Sequence, residues 1–300
     1  MSNNSHPALE ALLKDYSSHS SSENPVAVFD CDGTIIRGDI GEAMFYYQLE
    51  HFLFRTSPTN IWLDYPRREK LNKLFKAVSK CPSRRGSSDR DFATFVEMML
   101  SWYFDQLDDG KTEKACSDIV RLFAGFYHSE VEQIATATLR HQLESPLTQK
   151  FIGRHSLPEG IRYIREPLQL FERLRNLGFD IWVVSGSNQW SVDAVFRRFD
   201  LPADHIIGID LEKLNDTFSA KVKTPVPVLE NKIRALEERG VQQPVIVVSD
   251  SIYDIPLFQY CEGIKVLVRS GTEDSDDFFT KGCIVQDDSW VIIEEPSYEP

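Results

Sequence analysis

The sequence predicts an α/β fold: a doubly wound parallel sheet with helices on both faces and an all-helical cap inserted into it. Three observations predict this. The runs Val26–Phe29, Ile181–Val184 and Val245–Val248 are short, fully apolar and rich in β-branched residues, which is the signature of buried parallel strands. Each leads into turn residues, and helical patterns lie between or after them, so strand and helix alternate along the core. The stretch 38–158, by contrast, carries amphipathic helical patterns and no convincing strand.

In chain order, the N-terminal "MSNNSHPALEALLKDYSSHSSSENP" has no apolar signal-peptide core, and "SSHSSSENP" (17–25) reads as a linker. The first strand follows at Val26. Within 38–158, helices are predicted in "GEAMFYYQLEHFLF", "REKLNKLFKAV", "RDFATFVEMMLSWYF" and "EVEQIATATLRHQLE", separated by the breakers "TSPTN", "CPSRRGSSD" and "LDDGK". The core resumes at 159 with the helix "PLQLFERLRNLG" (167–178), closed by its Gly, and continues with "WSVDAVFRRF" (190–199) and "VLENKIRALEERG" (228–240). A weaker strand, Ile264–Val268, extends the sheet, and the acidic "EEPSYEP" tail reads as frayed. The division is therefore 1–37 and 159–300 for the α/β core, with 38–158 as the cap.

Composition bounds the function. A chain of 300 residues with 42% hydrophobic content buries a full core. Its net charge of −13 argues against nucleic acid or an anionic membrane surface as partner, since both call for clustered Lys and Arg. The five cysteines are scattered, odd in number and without metal-ligand spacing, which favours free thiols in a reducing compartment. No run approaches the ~18 apolar residues of a membrane span. The expectation is a soluble cytoplasmic protein, although secretion without a signal peptide would leave the same sequence; the oligomeric state is not legible.

In an open α/β sheet, ligands sit beyond the carboxyl ends of the strands. The first strand ends in Asp30-Cys31-Asp32-Gly33-Thr34, the second in Ser185-Gly186-Ser187-Asn188 and the third in Ser249-Asp250-Ser251, with Asp254 beyond and Lys232 in the preceding helix. Singly, an Asp or Ser after a strand is a turn former or helix cap, and a Lys in a charged helix is a solvated side chain. Jointly, three strand ends aim carboxylates and a hydroxyl at one crevice. Clustered carboxylates repel unless a cation holds them, and oxygen-only donors suit Mg²⁺. One Asp can then attack phosphorus while a neighbouring carboxylate moves protons, and Ser, Lys and backbone N–H groups hold the phosphoryl oxygens.

These residues resemble the four motifs of the haloacid dehalogenase-like hydrolase superfamily. The DxDGT motif is matched by Asp30–Thr34, the strand-ending Ser by Ser185, the Lys by Lys232, and the G-D-x-x-x-D motif by Asp250 and Asp254, with Ser249 in place of the usual Gly. Lys221 and Lys223 compete weakly with Lys232. A helical insertion after the first motif is similar to the branch holding phosphoserine, phosphocholine and phosphoethanolamine phosphatases. The resemblance implies a Rossmann-like core and hydrolysis of a phosphomonoester through an aspartyl-phosphate, with Asp30 as nucleophile and Asp32 as acid–base. It implies Mg²⁺ on Asp30, Asp250 and the carbonyl of Asp32, with Asp254 in support, and phosphate held by Ser185, Gly186, Lys232 and Thr34. Ser249 adds a Cβ where the family keeps close backbone approach.

The substrate is implied less directly, because fold and motif fix the reaction only. Asp39 and Glu42 stand where relatives meet a cationic head group, and Arg37 suits a carboxylate or a pairing with Asp39. The aromatics Phe45, Tyr46, Tyr47, Trp62, Tyr65, Trp102 and Tyr103 suit either a quaternary-amine cage or, more ordinarily, a core. A small phosphorylated metabolite is the leading reading. A phosphoprotein phosphatase and a catalytically silent phosphate-binding scaffold are the alternatives.

Overall fold

The computed structural model describes residues 9–11, 13–14, 24–80, 89–269, 286–294 and 296–299. Six parallel strands form the central sheet in the order β12-β11-β10-β1-β6-β7. They are β1 (Val26–Phe29), β6 (Asp180–Asn188), β7 (Ile206–Ile209), β10 (Ile246–Ser249), β11 (Ile264–Arg269) and β12 (Trp290–Glu294). All three strong apolar runs are strands of this sheet, and the weaker fourth run is β11. β7 and β12 complete the sheet beyond what the sequence predicted.

β1 is the centre. It pairs in parallel with β6 on one side, from Val26↔Asp180 to Phe29↔Val183, and with β10 on the other, from Ala27↔Ile246 to Phe29↔Val248. The chain passes from β1 outward to β6 and β7, then returns to β10 on the opposite flank, so the strand order reverses beside β1. That reversal opens a crevice at its carboxyl end. Alternation divides the strand between two cores: Val26 and Val28 face one cluster with Trp182 and Val247, whereas Ala27 and Phe29 face the other with Ile181 and Val183. Helices α6 (Arg165–Asn176), α7 (Gln189–Phe196), α8 (Asn231–Glu237) and α9 (Ile255–Tyr260) belong to the core sequence segments.

The stretch predicted to be all-helical departs from that expectation. Its helices α1 (Ile40–Glu50), α2 (Arg68–Lys80), α3 (Arg90–Asp108) and α5 (His128–Glu144) coincide with the four predicted patterns, and α4 (Thr112–Arg121) adds a fifth. It also contains a hairpin of β3 (Thr148–Ile152) and β4 (His155–Glu159), paired from Thr148↔Glu159 to Ile152↔His155. Most of the hairpin's side chains are exposed or half-buried, so the apolar/polar alternation that would reveal strands is missing. A second hairpin outside the stretch, β8 (Leu211–Leu214) with β9 (Thr217–Val222), escaped prediction too.

The chain leaves the core and comes back through a two-stranded antiparallel ribbon, β2 (Ile36–Arg37) and β5 (Arg162–Tyr163). The C-terminal tail, expected to fray, instead packs on this ribbon: Tyr298 bridges Ile164, and the Glu299 N–H donates to the Tyr163 carbonyl at 2.9 Å. The 17–25 linker lies outside the described residues except for Asn24 and Pro25, as do Cys81 and Cys283. Cys31, Cys116 and Cys261 are free thiols. No described helix is long and apolar enough to cross a membrane.

Candidate active site

Asp30 stands at the end of β1, 6% exposed, with its N–H donating to the Val248 carbonyl of β10. Lys232, on α8 and 5% exposed, donates from Nζ to Asp30 Oδ1 at 3.0 Å and to Asp254 Oδ2 at 2.7 Å. Burial and the neighbouring carboxylates of Asp254 and Asp32 push the Asp30 carboxyl up to about 7, against the opposing pull of Lys232. Burial alone would lower the Lys232 pKa; Asp254 and Asp30 outweigh it and raise it.

Asp32 is held by a separate set of donors. Its Oδ1 accepts from the Ile40 N–H at 2.7 Å, and its Oδ2 accepts from the hydroxyls of Ser187 at 2.7 Å and Ser185 at 3.2 Å. Ile40 opens α1, so the donor is the unsatisfied amide at a helix N-terminus, which favours an anion. Burial and then Asp39 raise the Asp32 carboxyl to about 7 against these hydrogen bonds. The two carboxylates of the motif therefore occupy different environments, one against a buried ammonium and one among hydroxyls and an amide.

Gly33, directly after Asp32, has φ +69°, and a Cβ there would fall 1.8 Å from Asp250 Oδ2. The turn thus needs glycine for both its conformation and its approach to Asp250. Thr34 donates to Asp250 Oδ1 at 3.2 Å. Burial, reinforced by Asp30 and Asp254, raises the Asp250 carboxyl well above the usual range. The donors around this end of the sheet are oxygens, and carboxylates outnumber the one buried ammonium. Asp254 Oδ1 is buried with no hydrogen-bond partner. Among the described residues, no three His, Cys, Asp or Glu side chains are gathered as a self-sufficient metal set. Two carboxylates with a carbonyl, the set implied by the motifs, fit a hard divalent cation by donor chemistry and by uncompensated charge.

The serine that replaces the motif glycine has its own partner. Ser249 is fully buried, and its hydroxyl donates to Asp254 Oδ2 at 2.6 Å, the oxygen that Lys232 also meets. Its Cβ is accommodated, and the side chain joins a chain of contacts running Ser249–Asp254–Lys232–Asp30. Lys221 and Lys223 pair instead with Glu212 and Asp210 at the surface, which leaves Lys232 as the lysine of the site.

These groups open on a cavity of about 620 Å³. Asp30, Asp32, Lys232, Asp250, Asp254 and Gly186 line it, together with Arg37 and Asp39. Ser185 and Thr34 support it from behind through Asp32 and Asp250. Asp39 caps α1, its Oδ1 accepting from the Glu42 N–H at 2.7 Å, and burial followed by the charge of Glu42 raises its carboxyl to about 7. Glu42 does not line the cavity: its carboxylate accepts from Tyr46 at 2.6 Å and Tyr103 at 3.0 Å. Arg37 does not pair with Asp39; its guanidinium lies 5.6 Å from the centre of the Tyr298 ring. None of the seven aromatics lines the cavity, and Phe45, Tyr46, Trp62, Tyr65, Trp102 and Tyr103 are buried in the core. The amine cage is therefore withdrawn in favour of ordinary packing.

Sequence reasoning gave no role to Ser187, whose hydroxyl is the shorter of the two serine contacts to Asp32. Its position in the Ser185-Gly186-Ser187 turn was the available signal. It also missed Thr148, Gln149, Pro158 and Glu159 as cavity wall, because the hairpin that carries them was not foreseen.

The family model for haloacid dehalogenase-like hydrolases matches residues 27–259. No curated protein matches the chain in sequence. Among solved structures, a protein of unknown function from Anaerococcus prevotii DSM 20548 aligns with TM-score 0.74 at 16% identity, covering 94% of this chain and 91% of that one. A protein of unknown function from Bordetella pertussis Tohama I aligns with TM-score 0.58 at 14% identity, covering 91% and 99%. At these identities the likeness is one of fold. A substrate-bound phosphoserine phosphatase aligns at TM-score 0.44 and 14% identity, covering 83% and 88%, too distant in shape to carry an argument.

Proposed function

The chain belongs to the haloacid dehalogenase-like hydrolase family, and from that premise we propose that it is a Mg²⁺-dependent phosphatase acting on a small phosphomonoester. One observation carries this reading: Asp30 meets Lys232 while Asp32, two residues on, is held by Ile40, Ser185 and Ser187 at the same cavity. That arrangement separates a nucleophile from an acid–base. A carboxylate oxygen of Asp30 attacks phosphorus, and the bond from phosphorus to the leaving alcohol's oxygen breaks as that leaving oxygen takes a proton from Asp32. Asp32 then accepts a proton from water, whose oxygen attacks the aspartyl-phosphate, releasing phosphate and restoring Asp30. A carboxyl near 7 suits both directions of proton transfer at neutral pH.

The other residues orient. Lys232 holds Oδ1 of Asp30 and is itself fixed by Asp254, while Gly186 lines the cavity where β6 meets it and suits phosphoryl oxygens, with Ser185 buried behind it on Asp32. Asp30, Asp250 and the Asp32 carbonyl would hold Mg²⁺, which supplies charge neutralisation when bound. The helices and hairpin of 38–158 act in this reading as a cap, their hairpin forming one wall of the cavity. Asp39, at the cap of α1, and Glu159, at the end of the hairpin, both line the cavity and support a cationic head group, such as an amine-bearing phosphoester.

The test is hydrolysis of p-nitrophenyl phosphate with Mg²⁺, followed by a panel of phosphoserine, phosphocholine, phosphoethanolamine, sugar phosphates and nucleotides. Turnover should stop with EDTA and with Asp30→Asn, the variant remaining folded by circular dichroism. Full activity of folded Asp30→Asn would remove the nucleophile.

A further inference from the structure

The ribbon through which the chain crosses between core and insertion is incomplete without the C-terminus. β2 and β5 supply two strands, with Ile36↔Tyr163 and Arg37↔Arg162 in register. Residues 297–299 lie along the continuation of β5. The Arg165 N–H donates to the Ser297 carbonyl at 2.8 Å, Tyr298 bridges Ile164, and the Glu299 N–H donates to the Tyr163 carbonyl at 2.9 Å. Side chains fasten the segment on both flanks. Ser297 donates to Glu166 from its hydroxyl at 2.6 Å and its N–H at 2.9 Å, and Arg198 donates to Glu299 at 2.8 Å.

This places the Tyr298 ring under Arg37. Among the described residues Arg37 makes no ion pair; its guanidinium lies over the ring, 5.6 Å from the centroid. Its neighbour across the ribbon, Arg162, is spent on structure and donates to the carbonyls of Ile161 and Ser145. Arg37 is thus the ribbon cation left to line the cavity.

We propose that residues 297–299 form a clasp on the crossing ribbon, and that Tyr298 is a positioning residue which holds Arg37 toward anionic oxygens of the substrate. The positioning role rests on the phosphatase reading above; the clasp does not. The ring limits the guanidinium's freedom from below without occupying its donors, so the donors stay available to the ligand.

Two measurements test this on the full-length protein with Mg²⁺. In the first, p-nitrophenyl phosphate is hydrolysed by Tyr298→Ala, Tyr298→Phe, Arg37→Ala and the Arg37→Ala/Tyr298→Ala double variant. Tyr298→Ala should raise KM about threefold, the size of an exposed cation–π contact, with kcat little moved. Tyr298→Phe, which keeps a ring, should recover the KM, and the Ala change should add nothing once Arg37 is gone. An equal KM rise with and without Arg37 overturns the positioning role. In the second, amide exchange is followed over 34–38 and 160–166 in a chain ending at Glu294. Faster exchange than in the full chain supports the clasp, and unchanged exchange overturns it whatever reaction the enzyme performs. Absence of any hydrolysis by the unmodified chain removes the phosphatase reading and the positioning role together, while exchange still decides the clasp.

Discussion

The Ser249 hydroxyl donates to Asp254 Oδ2 at 2.6 Å, and Lys232 Nζ reaches that same oxygen at 2.7 Å. A residue that departs from the family's motif has thus become part of the device that holds the site's lysine. Ser249→Ala should leave Asp254, whose Oδ1 already lacks a partner, short of a further donor, and should cost about 1–3 kcal/mol in urea unfolding. Ser249→Gly restores the usual motif and should cost at least as much here. Unfolding of either at the wild-type midpoint would deny the hydroxyl this part.

Gly33 supplies the second expectation. Its φ of +69° and the 1.8 Å approach of an added Cβ to Asp250 Oδ2 make Gly33→Ala both strained and obstructive. Backbone strain of about 1–3 kcal/mol should appear in the unfolding curve. Displacement of Asp250 should lower turnover about a hundredfold, as misplacement near an ångström does. Retained turnover would mean that Asp250 need not stand where it does.

Asp32→Asn separates the two chemical steps. Turnover of an alkyl phosphate should fall by about 10²–10⁴-fold, because its alkoxide leaving group needs a proton. p-Nitrophenolate leaves without one, so a first-turnover burst of it should survive while later turnovers slow. An equal loss on both substrates in the burst phase would move the acid elsewhere.

Asp193 gives a pH prediction remote from the cavity. Burial raises its carboxyl to about 6, opposed by the hydrogen bond from Gln189. A folded pKa above the unfolded one means that the native state binds more protons in the interval between them. Stability from this group is therefore complete below the unfolded value of 3.8 and is lost as pH rises through about 6. Asp193→Asn removes that dependence while keeping an acceptor for Gln189. The variant should be more stable than the wild type at pH 7 and indistinguishable at pH 3; the reverse order would contradict the burial argument.

What was legible in the sequence follows from local physics. β1, β6 and β10 are buried on both faces and therefore read as unbroken apolar runs, and their ends carry Asp30, Asp32, Ser185 and Asp250. Helices α2, α3 and α5 each bury an apolar face, which gives a helical period, whereas α1 is buried on nearly all sides and is marked by its apolar content. The β3–β4 hairpin buries little and has no such period, so one wall of the cavity was invisible. Glu42 looked accessible because one of its two phenolic partners, Tyr103, lies sixty-one residues away. The tail looked frayed because its strand-like partners lie far back along the chain, near Tyr163 and Arg165. Contacts of that span leave no mark on a short window of sequence.

Arg37 and Arg162 sit opposite one another as the polypeptide departs from the sheet and rejoins it. The loose ends of everything in between are therefore neighbours, at the spacing of paired strands. A segment whose own ends meet at that spacing could be spliced in at this junction with little disturbance to β1, β6 or β10. The junction makes residues 38–161 a segment that can be exchanged around a constant sheet, with the Ile40 N–H contact to Asp32 a link that any incoming segment must reproduce.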